Sequence, residues 1–266
     1  MRSTMDIALN PALSLSGFIV GALVGLTGVG GGSLMTPLLV LLFGFKPATA
    51  VGTDLLYAAI TKSGGSWVHH RHDNIDWHVT GRLAMGSVPA AAITLFVLSR
   101  LGVDGHGTSN IITGALGVAL MLTAGSIVFR QRLLDFAQHR IITERSERRT
   151  ALLTMFFGAL VGFLVSITSV GAGALGVTVL TFLYPRMATR RIVGSDIAHA
   201  VPLTLVAGLG HWWLGTVDIP LLLNLLLGSL PGIAIGSYLS TRVPERGLRS
   251  LLAAVLLLVG GKLILA

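Results

Sequence analysis

One stretch limits what this chain can fold into more than any other: a run of glycines set between apolar segments. Residues 25–37 read Gly-Leu-Thr-Gly-Val-Gly-Gly-Gly-Ser-Leu-Met-Thr-Pro, and four of the five residues from Gly28 to Gly32 are glycine. Glycine adopts backbone conformations closed to other residues and destabilises the interior of a helix. We therefore expect an apolar helix to break here, with the hydroxyls of Thr27 and Ser33 on either side.

A weaker copy of this stretch lies near the middle of the chain, which indicates an internal duplication. The copy reads Thr168-Ser-Val-Gly-Ala-Gly-Ala-Leu175 and follows the first at a spacing of 141 residues. Other blocks recur in the same order at a spacing of 142: Val51-Gly-Thr-Asp54 with Val193-Gly-Ser-Asp196, and Gly86-Ser-Val-Pro89 with Gly228-Ser-Leu-Pro231. Several blocks in one order at nearly one spacing are the signature of a repeat.

The composition places the chain in a membrane. It is 53% hydrophobic and only 11% charged, whereas soluble domains carry roughly 25% charged residues. Ten apolar elements can be drawn, several of them about as long as a bilayer is thick. They cover about 13–27, 33–45, 51–67, 78–100, 109–129, 151–168, 172–184, 192–214, 218–240 and 248–265.

These elements predict an all-α polytopic membrane protein made of two inverted repeats, 1–129 and 151–266. Five elements per half is an odd number, so the second half would enter the membrane from the opposite side. The basic segment 130–150 would be a cytoplasmic linker, which fits the positive-inside rule. The short elements beside the glycines would be half-helices or re-entrant hairpins near the midplane, and both 13–45 and 151–184 could be either hairpins or full spans.

Several classes of function are disfavoured by the sequence. There is no cysteine, hence no disulfide and no thiolate site. The net charge of +8 comes largely from arginines in short loops beside apolar segments, so nucleic acid is not an expected partner. No nucleotide-binding or hydrolase motif is present. We expect no enzyme activity, no cofactor and no metal.

The glycine breaks are the first candidate site. The segment after each break would begin at Ser33 or Ala174, so free N–H groups and the positive end of the helix dipole would face the break and favour an anion. Hydroxyls at Thr27, Ser33, Thr168 and Ser169 would add donors. The alternative is that these glycines only let helices pack closely.

Four ionisable residues inside apolar elements form the second set of candidates. Asp54 and Asp196 would cap the N-termini of their helices, or act as intramembrane proton acceptors or members of structural ion pairs, and these roles are compatible. His199 follows Asp196 by three residues, on the same helical face. Lys62 follows Asp54 by two helical turns, and it either attracts an anion or extends toward the membrane surface.

Two other functions remain open. His69, His70 and His72 are predicted to lie in a short loop immediately after the third element, and they would be solvated unless they hold a metal, as in a membrane-embedded enzyme or assembly factor. An anion channel is the other alternative.

The motifs also carry a family resemblance. The run from Gly25 to Leu39, followed by Ala48-Thr-Ala-Val-Gly-Thr-Asp54, resembles the TauE/SafE family of sulfite exporters. The resemblance implies export of sulfite or a small organosulfonate across a bacterial inner membrane. Apart from the resemblance, the expected partners are a small anionic substrate and membrane lipid, and a homodimer is left open.

Carrying the family motif over residue by residue gives two half-sites. The first would contain Thr27, Gly30, Gly31, Gly32 and Ser33, and the second Thr168, Gly171 and Gly173. The second copy departs from the pattern, because Ser169 replaces a glycine and Ala172 and Ala174 replace a glycine and a serine. The second half-site would therefore be narrower and supply fewer amides.

Overall fold

A computed structural model describes residues 10–27, 32–102, 106–129, 146–239 and 245–265. Within these ranges the protein is helical and contains no strand. The helices are α1 (Pro11–Thr27), α2 (Gly32–Leu41), α3 (Pro47–Arg71), α4 (Trp77–Leu101), α5 (His106–Val128), α6 (Glu147–Thr168), α7 (Ala174–Leu183), α8 (Thr189–Trp213), α9 (Ile219–Leu239) and α10 (Glu245–Leu265). Each corresponds to one predicted element, with ends that agree to within about four residues. The all-α prediction is confirmed.

The helices have the length and surface of membrane spans. Five of them, α4, α5, α6, α8 and α9, are long and apolar enough to cross a bilayer, and α1, α7 and α10 contain shorter apolar stretches. Large apolar side chains such as Ile93, Phe163 and Leu258 are more than half exposed, which suits contact with lipid tails. The polytopic membrane fold is thus confirmed. Residues 130–145 of the predicted linker lie outside the described residues, and α6 begins at Glu147, after an N-cap hydroxyl at Ser146.

Helix boundaries repeat along the chain. The starts of α2 and α7, of α3 and α8, and of α4 and α9 are each 142 residues apart. Asp76 caps the start of α4 by accepting from the N–H groups of His78 and Val79. Its counterpart Asp218 accepts from the N–H of Leu221 in the first turn of α9. The sequence repeat therefore corresponds to a repeat of structure.

Glycines on the long helices allow close packing. α1 packs along α9, α4 along α6, α3 along α8, and α5 along α10. A Cβ added at Gly21 would overlap the backbone of Ser229, and one added at Gly162 would overlap the backbone of Ser87. These glycines follow the small-residue rule for helix pairs in membranes.

The Gly-Thr-Asp and Gly-Ser-Asp steps form matching hydrogen bonds between the two halves. The Ser195 hydroxyl accepts a hydrogen bond from the backbone N–H of Asp76 (2.8 Å). In return, the Thr53 hydroxyl accepts from the N–H of Asp218 (3.0 Å). The two hydrogen bonds are reciprocal, because in each half the hydroxyl that precedes the buried aspartate accepts from the backbone of the other half.

Candidate functional site

The second glycine stretch forms a true interruption between α6 and α7. Ser169, which ends α6, has a φ of 58°, and Gly171 and Gly173 have φ values of 124° and 139°. Residues with a side chain rarely adopt positive φ angles of this size, so glycine is required at positions 171 and 173. In the first turn of α7 the N–H of Gly176 reaches the carbonyl of Gly171 at 3.3 Å. The preceding N–H groups of α7 have no backbone partner among the described residues, as expected at a helix start.

Thr168 organises this interruption. Its hydroxyl donates to the Leu164 carbonyl (2.7 Å), and its oxygen accepts from the N–H of Val170 (3.1 Å). The Thr168 side chain is therefore engaged with local backbone. Ser169 differs, since its hydroxyl is buried and has no hydrogen-bond partner within the described part of the chain.

The first glycine stretch is only partly described. α1 ends at Thr27 and α2 begins at Gly32. Gly30 and Gly31 lie outside the described residues, and so do the side chains of Thr27 and Ser33.

Asp54 is buried beside α2, the helix that follows the first break. Its side chain is fully buried, and its Oδ2 accepts a hydrogen bond from the Thr36 hydroxyl of α2 at 2.6 Å. The Ser169 hydroxyl faces the same carboxylate. Oδ1 has no hydrogen-bond partner among the described residues.

Asp196 occupies the equivalent position in the second half. It is 2% exposed, and its Oδ1 lies so close to Gly176 that a Cβ on that glycine would overlap it. Asp54 and Asp196 are each the eighth residue of their helix. The interpretation that these carboxylates cap their own helices is therefore wrong, and each instead faces the short helix that follows a break.

Lys62 connects the two halves. From α3 its Nζ donates a hydrogen bond to the Ala172 carbonyl at 3.0 Å, inside the second break. The carboxylates of Asp196 and Asp54 are the charged groups that act on this ammonium. The side chain thus points into the protein, and the interpretation that it extends to the membrane surface is wrong. The hydroxyl of its counterpart Thr204 donates to two carbonyls of its own helix, those of Ala200 and Val201.

His199 extends the polar cluster by one helical turn from Asp196. Its Nε2 lies 2.7 Å from the Ser87 hydroxyl of α4, while its Nδ1 is buried without a partner in the described residues. In the first half, Tyr57 takes the place of His199 and its hydroxyl faces Ser229 of α9. Sequence reasoning missed the roles of Ser87 and Ser229, although the Gly-Ser-x-Pro repeat that contains them was the available signal.

The three histidines of the alternative metal site diverge. His69 packs against Gly194 of α8, the His70 ring meets Trp77 edge to face, and the His72 Nδ1 lies 2.9 Å from the Val68 carbonyl. Among the described residues no group of three or more His, Asp or Glu side chains could hold a metal ion. His69 and His70 also belong to the last turn of α3 rather than to a loop.

Many secondary transporters are all-helical multi-pass membrane proteins. Their interrupted helices bring buried charges to the breaks, as the helices do here. Comparison with known proteins agrees. The sequence profile described as "Sulfite exporter TauE/SafE" matches residues 13–263, and the chain belongs to this family. It is a membrane transporter.

Curated relatives match over nearly their whole length. "Probable membrane transporter protein YjnA" of Bacillus subtilis is 42% identical over 256 residues, which cover 95% of this chain and 99% of that protein. "Probable membrane transporter protein YdhB" of the same organism is 27% identical, covering 88% of this chain and 91% of the relative. A "Probable membrane transporter protein" of Methanocaldococcus jannaschii, MJ0441, is 25% identical, covering 94% and 93%. No solved structure gives a significant match.

Proposed function

We propose that this protein exports a small sulfur-containing oxyanion, sulfite or an organosulfonate, across the bacterial inner membrane by alternating access. The observation that carries the proposal is the position of Lys62, whose ammonium reaches the carbonyl of Ala172 inside the second break. A positive charge is costly inside a membrane protein unless it is paired or serves a pathway. An anion at the break would meet this charge and the free N–H groups at the start of α7.

The proposal assigns the substrate to the two breaks together. Ser169 has a buried hydroxyl that faces the Asp54 carboxylate and makes no hydrogen bond with the local backbone, and Gly171 and Gly173 have positive φ values that residues with a side chain rarely adopt. The family motif assigns the corresponding role in the first half to Thr27, Gly30, Gly31, Gly32 and Ser33. Thr168 contributes indirectly in this scheme, by holding the turn.

Alternating access would follow from an inverted repeat. Two observations support that relation: the helix starts separated by 142 residues, and the reciprocal hydrogen bonds of Ser195 and Thr53 with the opposite half. Two halves related by an axis in the membrane plane could exchange their arrangements and open the shared site to either side in turn.

Coupling would involve the buried carboxylates. Asp54 and Asp196 together carry two negative charges if both are ionised, and Lys62 supplies one positive charge. A buried carboxylate without a counter-charge is strongly unfavourable. We therefore propose that one carboxylate takes up a proton during the cycle, with His199 as a neighbouring proton acceptor one turn from Asp196.

The experiment is efflux of radiolabelled sulfite from proteoliposomes, with and without a pH gradient. We expect saturable efflux that responds to the gradient and accelerates when unlabelled sulfite is present outside. Absence of flux with both sulfite and organosulfonates would refute the substrate class. Flux that ignores the gradient and the outside substrate would indicate a channel.

A matched pair of variants tests the site itself. Ser169→Ala removes the buried hydroxyl at the break, and it should raise the substrate concentration needed for half-maximal flux. Ser63→Ala is the control, because the exposed Ser63 hydroxyl only donates to the Ala59 carbonyl of its own helix. Equal transport by the two variants would remove Ser169 from the proposed site.

A further inference from the structure

The long helices α3 and α8 occupy equivalent places in the two halves, but their C-terminal portions differ in exposure. The last buried residue of α3 is Ala59, whereas buried residues of α8 continue to His211. On one face, five residues of α8 are buried while their counterparts 142 positions earlier in α3 are half-buried. The buried residues are Leu203, Thr204, Ala207, Gly208 and His211, and the half-buried ones are Thr61, Lys62, Gly65, Ser66 and His69. Neighbouring helices therefore cover this face of α8 and leave the same face of α3 partly accessible.

The accessible face of α3 is polar. α3 and α8 both contain 25 residues, yet of the two only α8 is apolar enough to cross a bilayer. Lys62 belongs to this face, and its Nζ donates to the Ala172 carbonyl inside the second break. Polar groups at membrane depth are favourable only where they contact protein or water. The face thus leads from the end of α3 to the break along a surface suited to water.

The end of α3 and the start of α8 lie at one membrane surface. A guanidinium nitrogen of Arg191 in α8 is 4.0 Å from Oδ2 of Asp76, which follows α3 after a short turn. Arg71 and Arg190 are exposed at the same end. Arginines beside membrane spans mark the cytoplasmic side. The accessible face of α3 therefore begins at the cytoplasmic surface.

The opposite end of this helix pair is closed. His211, near the end of α8, has its Nε2 2.9 Å from the Ser166 carbonyl and its Nδ1 2.8 Å from the Thr216 hydroxyl. Because a carbonyl can only accept, Nε2 donates to one of the last carbonyls of α6, which lack a partner within their helix. One residue earlier, Gly210 packs against the side chain of Leu95 in α4. These contacts block the way along α8 to the outer surface.

The counterparts of these residues make no such closure at the cytoplasmic end. His69 takes the place of His211, and its Nδ1 has no hydrogen-bond partner within the described residues. Val68 takes the place of Gly210 and is 49% exposed. The two histidines thus occupy equivalent positions at opposite membrane surfaces, and only His211 is engaged.

We infer that the transported anion enters from the cytoplasm through an aqueous route along the C-terminal half of α3, between Thr61 and His69. His211 keeps the equivalent route along α8 closed. This inference deepens the proposed function, and it rests on that function in taking the second break as the place where the anion binds. In the opposite state of an inverted repeat, His69 would close against α1, the counterpart of α6, and His211 would leave Ser166.

The test relies on the absence of cysteine from the chain, so that a single introduced thiol reports its own exposure to water. Gly65→Cys places a thiol in the route, where the nearest described atom to an added Cβ outside α3 is Cγ2 of Ile197, at an ordinary 3.6 Å. Ala207→Cys is the matched variant in the closed route. Leu205→Cys is the lipid control, because Leu205 is 44% exposed in line with the exposed Leu209.

Each variant is treated with a membrane-impermeant methanethiosulfonate that carries a sulfonate group. The reagent is added to the cytoplasmic or the outer side of sealed vesicles, and labelling is followed by the mass of the intact protein. From the cytoplasmic side, Gly65→Cys should react at least about 10-fold faster than Leu205→Cys, because the thiolate is the reactive form and an apolar environment disfavours it. From the outer side, Ala207→Cys should stay unlabelled.

A second set of variants tests His211. Combined with Ala207→Cys, His211→Phe removes both hydrogen bonds of the ring and should make the thiol reactive from the outer side. His211→Gln should keep the thiol unreactive, because the glutamine amide can donate to the Ser166 carbonyl as Nε2 does. A thiol that stays unlabelled in the His211→Phe background would show that His211 does not hold the route closed.

Three results would overturn the route itself: Gly65→Cys labelled no faster than Leu205→Cys, Gly65→Cys labelled only from the outer side, or Ala207→Cys labelled from the outer side as fast as Gly65→Cys from the cytoplasmic side. Should Gly65→Cys not fold, Ser66→Cys repeats the test. Failure of both variants to fold would contradict an accessible face, which tolerates a small side chain.

No sulfite takes part in the labelling, so its outcome is separate from that of the proposed function. Fast labelling of Gly65→Cys without any sulfite flux would leave the route standing and remove the proposed substrate.

Discussion

Gly176→Ala is a substitution that should disturb transport while leaving the fold intact. Gly176 lies in the first turn of α7, and a Cβ added there would overlap Oδ1 of Asp196. The obstacle is the end of a side chain and not backbone, so the helices need not separate. The Asp196 carboxylate must instead swing away by on the order of 1 Å to reach a normal van der Waals separation.

The size of the effect follows from that displacement. A group misplaced by about 1 Å can cost roughly 100-fold in rate at a reacting centre, and we expect a loss of transport between about 10- and 100-fold. The free energy of unfolding should rise, because alanine is favoured over glycine in a helix by about 1 kcal/mol. Loss of transport without loss of stability would identify a positional effect on Asp196.

The assay is sulfite efflux from proteoliposomes, read together with the unfolding temperature of the same preparations. Gly64→Ala is the control, since a Cβ added at Gly64 would meet no described atom within 4 Å. Gly64 is also only two residues from Lys62 in the sequence. Equal efflux by Gly176→Ala and Gly64→Ala would refute the reasoning. A large drop in unfolding temperature for Gly176→Ala would show that the backbone, and not only the carboxylate, had to move.

Three other substitutions test separate parts of the structure. Thr53→Val and Ser195→Ala each remove the acceptor of one reciprocal hydrogen bond. Each should lower the free energy of unfolding, measured by denaturation curves, by about 1–3 kcal/mol. Unequal losses would argue against equivalent roles of the two hydroxyls. Gly162→Ala would overlap the backbone of Ser87 and should lower the unfolding temperature, which an unchanged melting curve would contradict. Asp54→Asn keeps the shape of the side chain that accepts a hydrogen bond from Thr36 but removes its charge. Sulfite efflux should therefore lose its response to a pH gradient. A response equal to that of the wild type would exclude Asp54 from coupling.

Much of the fold could be predicted because its determinants are local. Glycines from Gly28 to Gly32 and at Gly171 and Gly173 indicate broken helices, and the structure requires glycine at the last two because their φ values are positive. The spacing of 142 between motif blocks reappears as the spacing between helix starts. Periodic apolar segments bounded by such blocks are what sequence patterns report well.

The functions assigned to the carboxylates were harder to predict. Capping by Asp54 was a wrong interpretation because α3 begins earlier, at Pro47, and its N-cap residue is Lys46. Proline at the first position of a helix was the missed signal.

Long-range contacts could not be predicted from the sequence. Lys62 reaches Ala172 across 110 residues of chain, and Thr53 reaches Asp218 across 165. Local propensity contains no information on which helices meet. Only the repeat hinted that an element of one half would contact the corresponding element of the other.

A transported oxyanion that binds at the positive charge of the second break should bind more weakly when that charge is removed. The most direct measurement is the sulfite concentration that gives half-maximal flux for Lys62→Met and for Lys262→Met, both in sodium- and potassium-free choline medium. We expect Lys62→Met to raise this concentration at least about 10-fold, since one lost charge-assisted interaction costs roughly 1.5–3 kcal/mol. Lys262→Met should match the wild type. Identical saturation curves for the two variants would show that the oxyanion does not bind at Lys62.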